Sequence, residues 1–438
     1  MKYFGTDGIR ARVNNSFLKQ NFALSLGEAV GMFVKKNNPA NSTILIGRDT
    51  RSSGDMLLQA FAQGLSNLNC QAISIGIVPT PALAHSVISN KSALGVMITA
   101  SHNPEHDNGF KCFSSLGTKL SDADEVAIEQ MILVNEEPII HQPVKVTSVI
   151  DSYSSHILSL FPKNLLTGKK IVVDLSYGAT INTTPSILSK LGAEVVTLSK
   201  EGGKINDGVG SEFPQNMAKK TILEGADFGI AHDGDGDRAI FCDSMGQVIH
   251  GDRILGLLAI HEHSKNRLKS NTFIATIHSN SGLEASLRRH KISVSLSEVG
   301  DKKVAELMKK KNSNFGGESS GHLVASDFLP TGDGLITALL VARAMTESKK
   351  TINNLAEKIS LWPSFEGSFP VNKKIPVEMC LPLKNEIDLV KKDLQDQGRI
   401  LVRYSGTEPK IRLLVESIDK SKAQSAYNRL AKTIKKTL

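Results

Sequence analysis

One unit recurs along this 438-residue chain: an apolar strand, a glycine-bearing turn and an amphipathic helix. The first copy runs Thr43-Ile44-Leu45-Ile46 and turns at Gly47-Arg48-Asp49. A helix follows near Ser53 to Leu68, with Met56, Leu57, Ala60, Phe61, Gly64 and Leu65 at helical spacing. The second runs Ile171-Val172-Val173-Asp174 and turns through Ser176-Tyr177-Gly178. Its helix has Thr184 as the expected N-cap, Pro185 at the first helical position and Gly192 as the stop. The third runs Phe273 to Ile277, turns at Ser279-Asn280-Ser281-Gly282 and enters another helix. Strand, turn and helix repeating at domain-sized intervals predict three related α/β domains.

The last part of the chain breaks this pattern. Pro363, Pro370, Pro376 and Pro382 cluster around extended segments, which reads as a linker near residues 362 to 372. A charged helix from about Lys384 to Gln397 stops at Gly398. Strands at Ile400–Arg403 and Ile411–Val415 and a final basic helix follow, predicting a smaller α+β domain. The resulting division is 1–150, 151–250, 251–364 and 365–438.

Four loops carry groups suited to chemistry. Thr99-Ala100-Ser101-His102-Asn103-Pro104 follows the apolar strand Ala93–Ile98, so Ser101 sits at a strand end, where α/β proteins place reactive groups. It is not a GxSxG elbow, and His102, adjacent in sequence, has poor geometry for a simple Ser–His base pair. Lys111, beyond Asp107-Asn108-Gly109, returns a positive charge towards the loop. A turn rich in Ser, Asn and Pro has the same appearance.

Asp233-Gly234-Asp235-Gly236-Asp237-Arg238 follows the strand Phe228–Ala231. Carboxylates at alternate positions, with glycines between, curl onto one hard cation, and oxygen donors favour Mg²⁺ or Ca²⁺. An EF-hand is excluded, because its sixth position would be Arg238 and its twelfth Ser244. Three carboxylates leave coordination positions open for a phosphate oxygen.

Gly316-Gly317-Glu318-Ser319-Ser320-Gly321-His322 offers hydroxyl-binding groups and a proton carrier, although polar glycine loops are common. Arg403-Tyr404-Ser405-Gly406-Thr407-Glu408-Pro409, with Arg412 beyond, has the parts of a phosphate clamp: guanidinium forks, hydroxyls and a glycine-opened backbone. Hairpin-turn chemistry is its alternative. A Rossmann fingerprint and a Walker loop are both absent from the sequence.

In this order the four loops resemble the α-D-phosphohexomutase superfamily over nearly the whole chain. The most specific pieces are the serine loop, extended as TASHNPxxDNGxK, and the DGDGDR loop. Tyr3 to Arg10, the doubled glycine before Glu318 and the run Gly117–Leu120 are similar to the phosphoglucosamine mutase branch. Ala11, Ser319 and Val209 depart from the usual pattern, Val209 standing where that branch has cysteine.

The resemblance implies four domains around a central cleft, with one loop from each. Ser101 would carry a phosphoryl group, and Asp233, Asp235 and Asp237 would bind Mg²⁺ with a phosphoserine oxygen as a further ligand. Glu318 and Ser320 would grip sugar hydroxyls. Arg403, Ser405, Gly406, Thr407 and Arg412 would hold the non-reacting phosphate. Arg10, His102, Lys111, Arg238 and His322 would surround the reacting one.

The implied reaction interconverts glucosamine 6-phosphate and glucosamine 1-phosphate through a 1,6-bisphosphate, which also serves as activator, for UDP-N-acetylglucosamine synthesis. A phosphomannomutase or phosphoglucomutase, or a non-catalytic sugar-phosphate binder, are the rival readings. Composition fits the implied chemistry. The formal charge of +8 asks for no partner beyond an anionic small molecule, and no nucleic-acid motif is present. Scattered Cys70, Cys112, Cys242 and Cys380, no long apolar run and a charged start predict a cytoplasmic protein without a membrane partner. A monomer or homodimer is expected.

Overall fold

The computed structural model describes residues 2–134, 144–405 and 409–438. Its strands form four sheets. The first contains β1 (Phe4–Gly5), β2 (Gly8–Arg12), β3 (Thr43–Arg48), β4 (Gln71–Ile77), β5 (Leu94–Ile98), β6 (Asp107–Ser114) and β7 (Lys145–Val146), in spatial order 1-2-6-5-3-4-7. The second contains β8 (Lys170–Asp174), β9 (Glu194–Leu198), β10 (Phe228–His232), β11 (Ala239–Asp243) and β12 (Val248–Ile249), ordered 12-11-10-8-9. The third contains β13 (Thr272–Thr276), β14 (Ser293–Ser297), β15 (Phe315–Glu318) and β16 (His322–Ala325), ordered 14-13-15-16. The fourth, β17 (Ser364–Pro370), β18 (Gly398–Tyr404) and β19 (Lys410–Ser417), is ordered 17-19-18 and wholly antiparallel.

The first three sheets share one four-strand core. In each, a first strand (β3, β8, β13) pairs parallel with a second (β4, β9, β14) and a third (β5, β10, β15). A fourth strand (β6, β11, β16) then folds back antiparallel on the third. β5, β10 and β13 are buried along their whole length, as strands covered by helices on both faces must be. The chain therefore comprises three related α/β domains and a smaller C-terminal α+β domain.

Packing explains why the fourth domain stands apart. One apolar cluster runs from Leu45 and Val78 through Ile171 and Phe228 to Phe273 and Leu339, so the first three sheets share a continuous core. A second cluster, including Phe22, Phe61 and Phe110, fills the other face of the first sheet. The fourth domain has its own, with Leu383, Val390, Leu413 and Leu430 buried between its sheet and two helices.

Three local expectations are corrected. Thr184 is the first residue of the helix Thr184–Lys190, with Thr183 at the cap. Its hydroxyl lies 3.2 Å from His232 Nε2 rather than on the helix backbone. The linker expected near 362–372 is largely β17, paired with β19 from Ser364 to Pro370. Its prolines flank or close an edge strand, where a missing N–H costs no ladder bond. The charged helix spans Leu381–Leu394, not 384–397, because Pro382 fits its first turn.

Candidate active site

The three domain loops occupy one topological position. The Ser101 loop joins β5 to β6, the Asp233–Arg238 loop joins β10 to β11, and the Glu318–Gly321 turn joins β15 to β16. Each lies at the carboxyl end of a buried parallel strand, just before the chain turns back. The Arg403–Arg412 hairpin, β18 to β19, is the counterpart in the fourth domain.

Ser101 is fully buried and has φ +52°, a left-handed conformation unusual for a serine. Buried contacts hold it there. Its N–H donates to Thr99 Oγ1 (2.8 Å), and Thr99 Oγ1 donates to Asp49 Oδ2 (2.6 Å). Arg51 Nη2 donates to the carbonyls of Ser101 (2.9 Å) and Asn103 (2.8 Å), while Nη1 reaches that of Asp107 (2.8 Å). Asn206 Nδ2 donates to the Ser101 carbonyl from the second domain (2.7 Å). A Cβ on Gly234 would come within 2.7 Å of that same carbonyl oxygen, so only glycine lets the two loops meet.

The result places Ser101 Oγ on the acidic loop, donating to Asp233 Oδ2 at 2.7 Å. His102 Nδ1 also lies 3.3 Å from Ser101 Oγ, despite its adjacency in sequence. Burial, then Arg238 and Arg10, lower the His102 pKa to about 4, leaving a neutral ring at physiological pH.

Asp233, Asp235 and Asp237 are all buried, and one oxygen from each lies within 4.8 Å of the others. Burial and the two neighbouring carboxylates push Asp233 well above the usual carboxylate range. Burial alone would raise Asp237 too, but Lys111 and His322 outweigh it and hold it well below. Asp235 Oδ1 and Asp237 Oδ1 are buried without a hydrogen-bond partner. Three converging carboxylates with orphaned oxygens suit a hard divalent cation. Thr80 Oγ1 orients Asp235 by donating to Oδ2 (2.6 Å).

A ring of charge links this cluster to the first and third domains. Lys111 Nζ lies 2.7 Å from Asp235 Oδ2, 3.0 Å from Asp237 Oδ2 and 3.3 Å from Asp7 Oδ2. Asp7 also pairs with Arg10 and Lys119. Lys119 Nζ lies 2.5 Å from Asp301 Oδ2, which lies 3.3 Å from His322 Nε2. His322 Nδ1, 3.6 Å from Asp237 Oδ1, closes the circuit. Burial opposes the charge on Lys111, yet its three carboxylates raise its pKa well above that of free lysine. For His322 the carboxylates of Asp237 and Asp301 likewise outweigh burial and raise it. Arg238 flanks the cluster, its Nε 3.9 Å from Asp233 and Asp237.

Sequence reading missed Asp7, Lys119 and Asp301 as members of this ring, and Asp49, Arg51, Thr80 and Asn206 as its supports. Signals existed for some: Asp7 lies in the opening motif, Lys119 in the Gly117–Leu120 run and Asn206 in the segment that departs at Val209.

The remaining residues are placed differently. Glu318 Oε1, at the half-exposed rim, accepts from Gly300 N (2.9 Å), and Ser320 follows on the same half-exposed turn. The turn is joined to the metal loop where Ala239 N donates to the Gly321 carbonyl (3.1 Å). Arg403 and Arg412 face each other across β18 and β19 and line a cavity of about 430 Å³ beside His278. Burial and Arg412 lower the Arg403 pKa. Ser405 closes β18, its N–H donating to the Lys410 carbonyl (2.8 Å). Gly406 and Thr407 lie outside the described residues. Among the described residues, no hydrogen bond or ion pair links Arg403 or Arg412 to the charged ring. No described helix is long and apolar enough to cross a membrane.

Comparison with known proteins agrees with this architecture. Family models for phosphoglucomutase/phosphomannomutase match in four parts: alpha/beta/alpha domain I at residues 1–138, domain II at 151–246, domain III at 250–361 and the C-terminal domain at 340–433. A phosphoglucosamine mutase of Aliarcobacter butzleri is 40% identical, with 100% of both chains covered. One of Helicobacter pylori is 38% identical over 98% of each. Among solved structures, a phosphoglucomutase/phosphomannomutase family protein of Burkholderia thailandensis superposes with TM-score 0.82 at 23% identity, covering 99% of this chain and 97% of that one. An N-acetylphosphoglucosamine mutase of Aspergillus fumigatus, solved with GlcNAc-6P and magnesium, gives 0.65 at 15% identity, covering 95% and 98%. With full-length relatives of one kind and all four domains matched, the chain belongs to the phosphoglucosamine mutases of the α-D-phosphohexomutase superfamily and is a phosphohexose-isomerising enzyme.

Proposed function

We propose that the enzyme interconverts glucosamine 6-phosphate and glucosamine 1-phosphate through a phosphorylated Ser101. The observation that carries this reading is the buried Ser101 Oγ, held in a left-handed turn 2.7 Å from a carboxylate of the Asp233–Asp237 cluster.

Asp233, Asp235 and Asp237 would hold Mg²⁺, with a phosphoserine oxygen as a further ligand, and the bound ion supplies positive charge to the transferring phosphoryl oxygens. Lys111, Arg10 and Arg238 add the chain's own positive charge at the same place. Transfer breaks the Ser101 Oγ–P bond as the sugar's C1 oxygen bonds to phosphorus, and the proton that the C1 hydroxyl gives up ends on Ser101 Oγ, restoring the serine hydroxyl. Ser101 Oγ, once dephosphorylated, donates to Asp233 Oδ2. The 1,6-bisphosphate then turns over, and its 6-phosphoryl group returns to Ser101. Positioning and electrostatics carry most of such a transfer.

Glu318 and Ser320 would read the sugar hydroxyls, and Arg403, Ser405, Gly406, Thr407 and Arg412 would clamp the idle phosphate in either orientation. His102 and His322 border the transfer site. A sugar 1,6-bisphosphate would prime the enzyme. In a bacterial cytoplasm the product would feed UDP-N-acetylglucosamine synthesis.

³¹P NMR with Mg²⁺ and a trace of the matching bisphosphate, run in parallel on the 6-phosphates of glucosamine, glucose and mannose, tests the reading. Fastest conversion of glucosamine 6-phosphate is expected. Preference for glucose or mannose would overturn the substrate and keep the mechanism, and no conversion of any would overturn both.

A further inference from the structure

The turn after β13 is pinned to the fourth sheet by Arg399. Its Nη1 donates to the carbonyl of Ile277 (3.1 Å) and its Nη2 to that of Ser279 (2.8 Å), the residues on either side of His278. Nη2 also lies 2.9 Å from Glu416, whose carboxylate accepts from Ser281 N (3.0 Å) and Oγ (2.7 Å). Asn280 exchanges hydrogen bonds with the backbone of Trp362 at the entry to β17 (3.0 and 2.8 Å). A loop of the third domain is thereby held against the exposed face of the fourth sheet, with His278 at its tip.

What His278 meets there is short of negative charge. The cavity of about 430 Å³ is lined by His278, Arg403, Arg412, Ser368, Leu401 and Glu366. His278 Nε2 and Arg403 Nε are both buried without a hydrogen-bond partner. Buried polar atoms without a partner are costly, so two of them on side chains that line one cavity point to an anion that engages both residues. Glu416 is already engaged by Arg399 and Ser281, leaving Glu366 as the acidic residue of the lining.

We infer that His278 is a substrate-binding residue of the third domain, donating from Nε2 to the phosphate monoester held by Arg403 and Arg412. The inference rests on the clamp reading above and makes the clamp a two-domain device. The anion is fully held only while the third and fourth domains are in register, so substrate binding itself favours that register. Burial, then Arg403, Arg399 and Arg412, lower the His278 pKa. The free enzyme therefore carries a neutral ring, and an arriving dianion favours its protonation.

The test measures KM and kcat for glucosamine 6-phosphate, and the inhibition constant for inorganic phosphate, in the Mg²⁺-loaded full-length enzyme. His278→Ala should raise KM and the phosphate constant about tenfold or more with kcat little changed, the scale of one hydrogen bond to a charged group. His278→Gln, which keeps a donor, should recover most of the loss. Between about pH 6 and 8 the wild-type KM should rise more steeply than that of His278→Gln. The other charged groups around this turn and cavity are Arg399 and Arg403 on β18, Arg412 and Glu416 on β19 and Glu366 on β17. Unchanged constants in His278→Ala, alongside weakened binding in Arg403→Ala, would overturn the role of His278 and leave the clamp standing. Unchanged constants in both variants would bring down the clamp reading and this inference with it.

Discussion

Lys119 Nζ and Asp301 Oδ2 lie 2.5 Å apart, one from the first domain and one from the third, and both side chains are almost buried. The pair joins the Asp7 end of the charged ring to the His322 end. Removing Lys119 leaves Asp7 and Asp301 facing each other without their shared cation. Breaking a buried pair by deleting one partner costs about 3–5 kcal/mol, much more than a surface pair. Lys119→Met should therefore lower the thermal midpoint by several degrees. Adding Asp301→Asn should restore part of the loss, since it removes the stranded charge. Simple additivity of the two losses would show that the contact carries no coupling.

Ser101→Ala should fold normally and lose sustained mutase turnover. The alanine removes the atom proposed to carry the phosphoryl group and leaves the Arg51 and Asn206 contacts, which go to the backbone, untouched. Intact-mass analysis should then find a phosphoryl adduct on the wild type and none on the variant. Near-normal turnover in the variant would end the phosphoserine assignment.

Mg²⁺ should stabilise the wild type, because a ligand that binds only the folded state shifts unfolding by mass action. Asp235→Asn removes one carboxylate of three and should shrink the Mg²⁺-induced rise in thermal midpoint together with the rate. The same rise in both proteins would rule out the Asp233–Asp237 loop as the metal site.

Asp333 gives a pH signature in stability. It caps the helix Gly334–Ser348, accepting from Leu335 N (2.8 Å) and Ile336 N (3.0 Å), and it accepts from the Tyr153 hydroxyl (2.6 Å). Burial outweighs these bonds and raises its pKa to about 6, against an ordinary 3.8. Folding thus favours the protonated acid. The associated stability is complete below about pH 4 and is lost as pH rises through about 6. About two units correspond to about 3 kcal/mol. Asp333→Asn, which keeps a capping acceptor, should gain stability relative to wild type across that window. Denaturant melts at pH 4, 5, 6 and 7 measure it, and a constant difference between the two proteins would contradict the assignment.

The sequence alone determined the repeating architecture, because strand, glycine turn and helix are local patterns set by side-chain period and backbone freedom. It also determined the four chemistry-bearing loops, since Ser101, the Asp233–Asp237 alternation, Glu318 with His322 and Arg403 with Arg412 are each legible within a few residues. The prolines near 362–372 misled for the same reason: a linker and an edge strand look alike until pairing is known.

Only the tertiary structure decided what those loops meet. Asp7 reaches Lys119, and Lys119 reaches Asp301, across separations of more than a hundred residues that no local pattern encodes. The left-handed turn at Ser101 is imposed by Arg51 and Asn206 from outside its loop. The position shared by the three loops, between a buried parallel strand and its antiparallel return, becomes visible only when the sheets are laid side by side. Charges this deeply buried are tolerated only when partners from other domains compensate their desolvation, so the site exists as a property of the assembled fold.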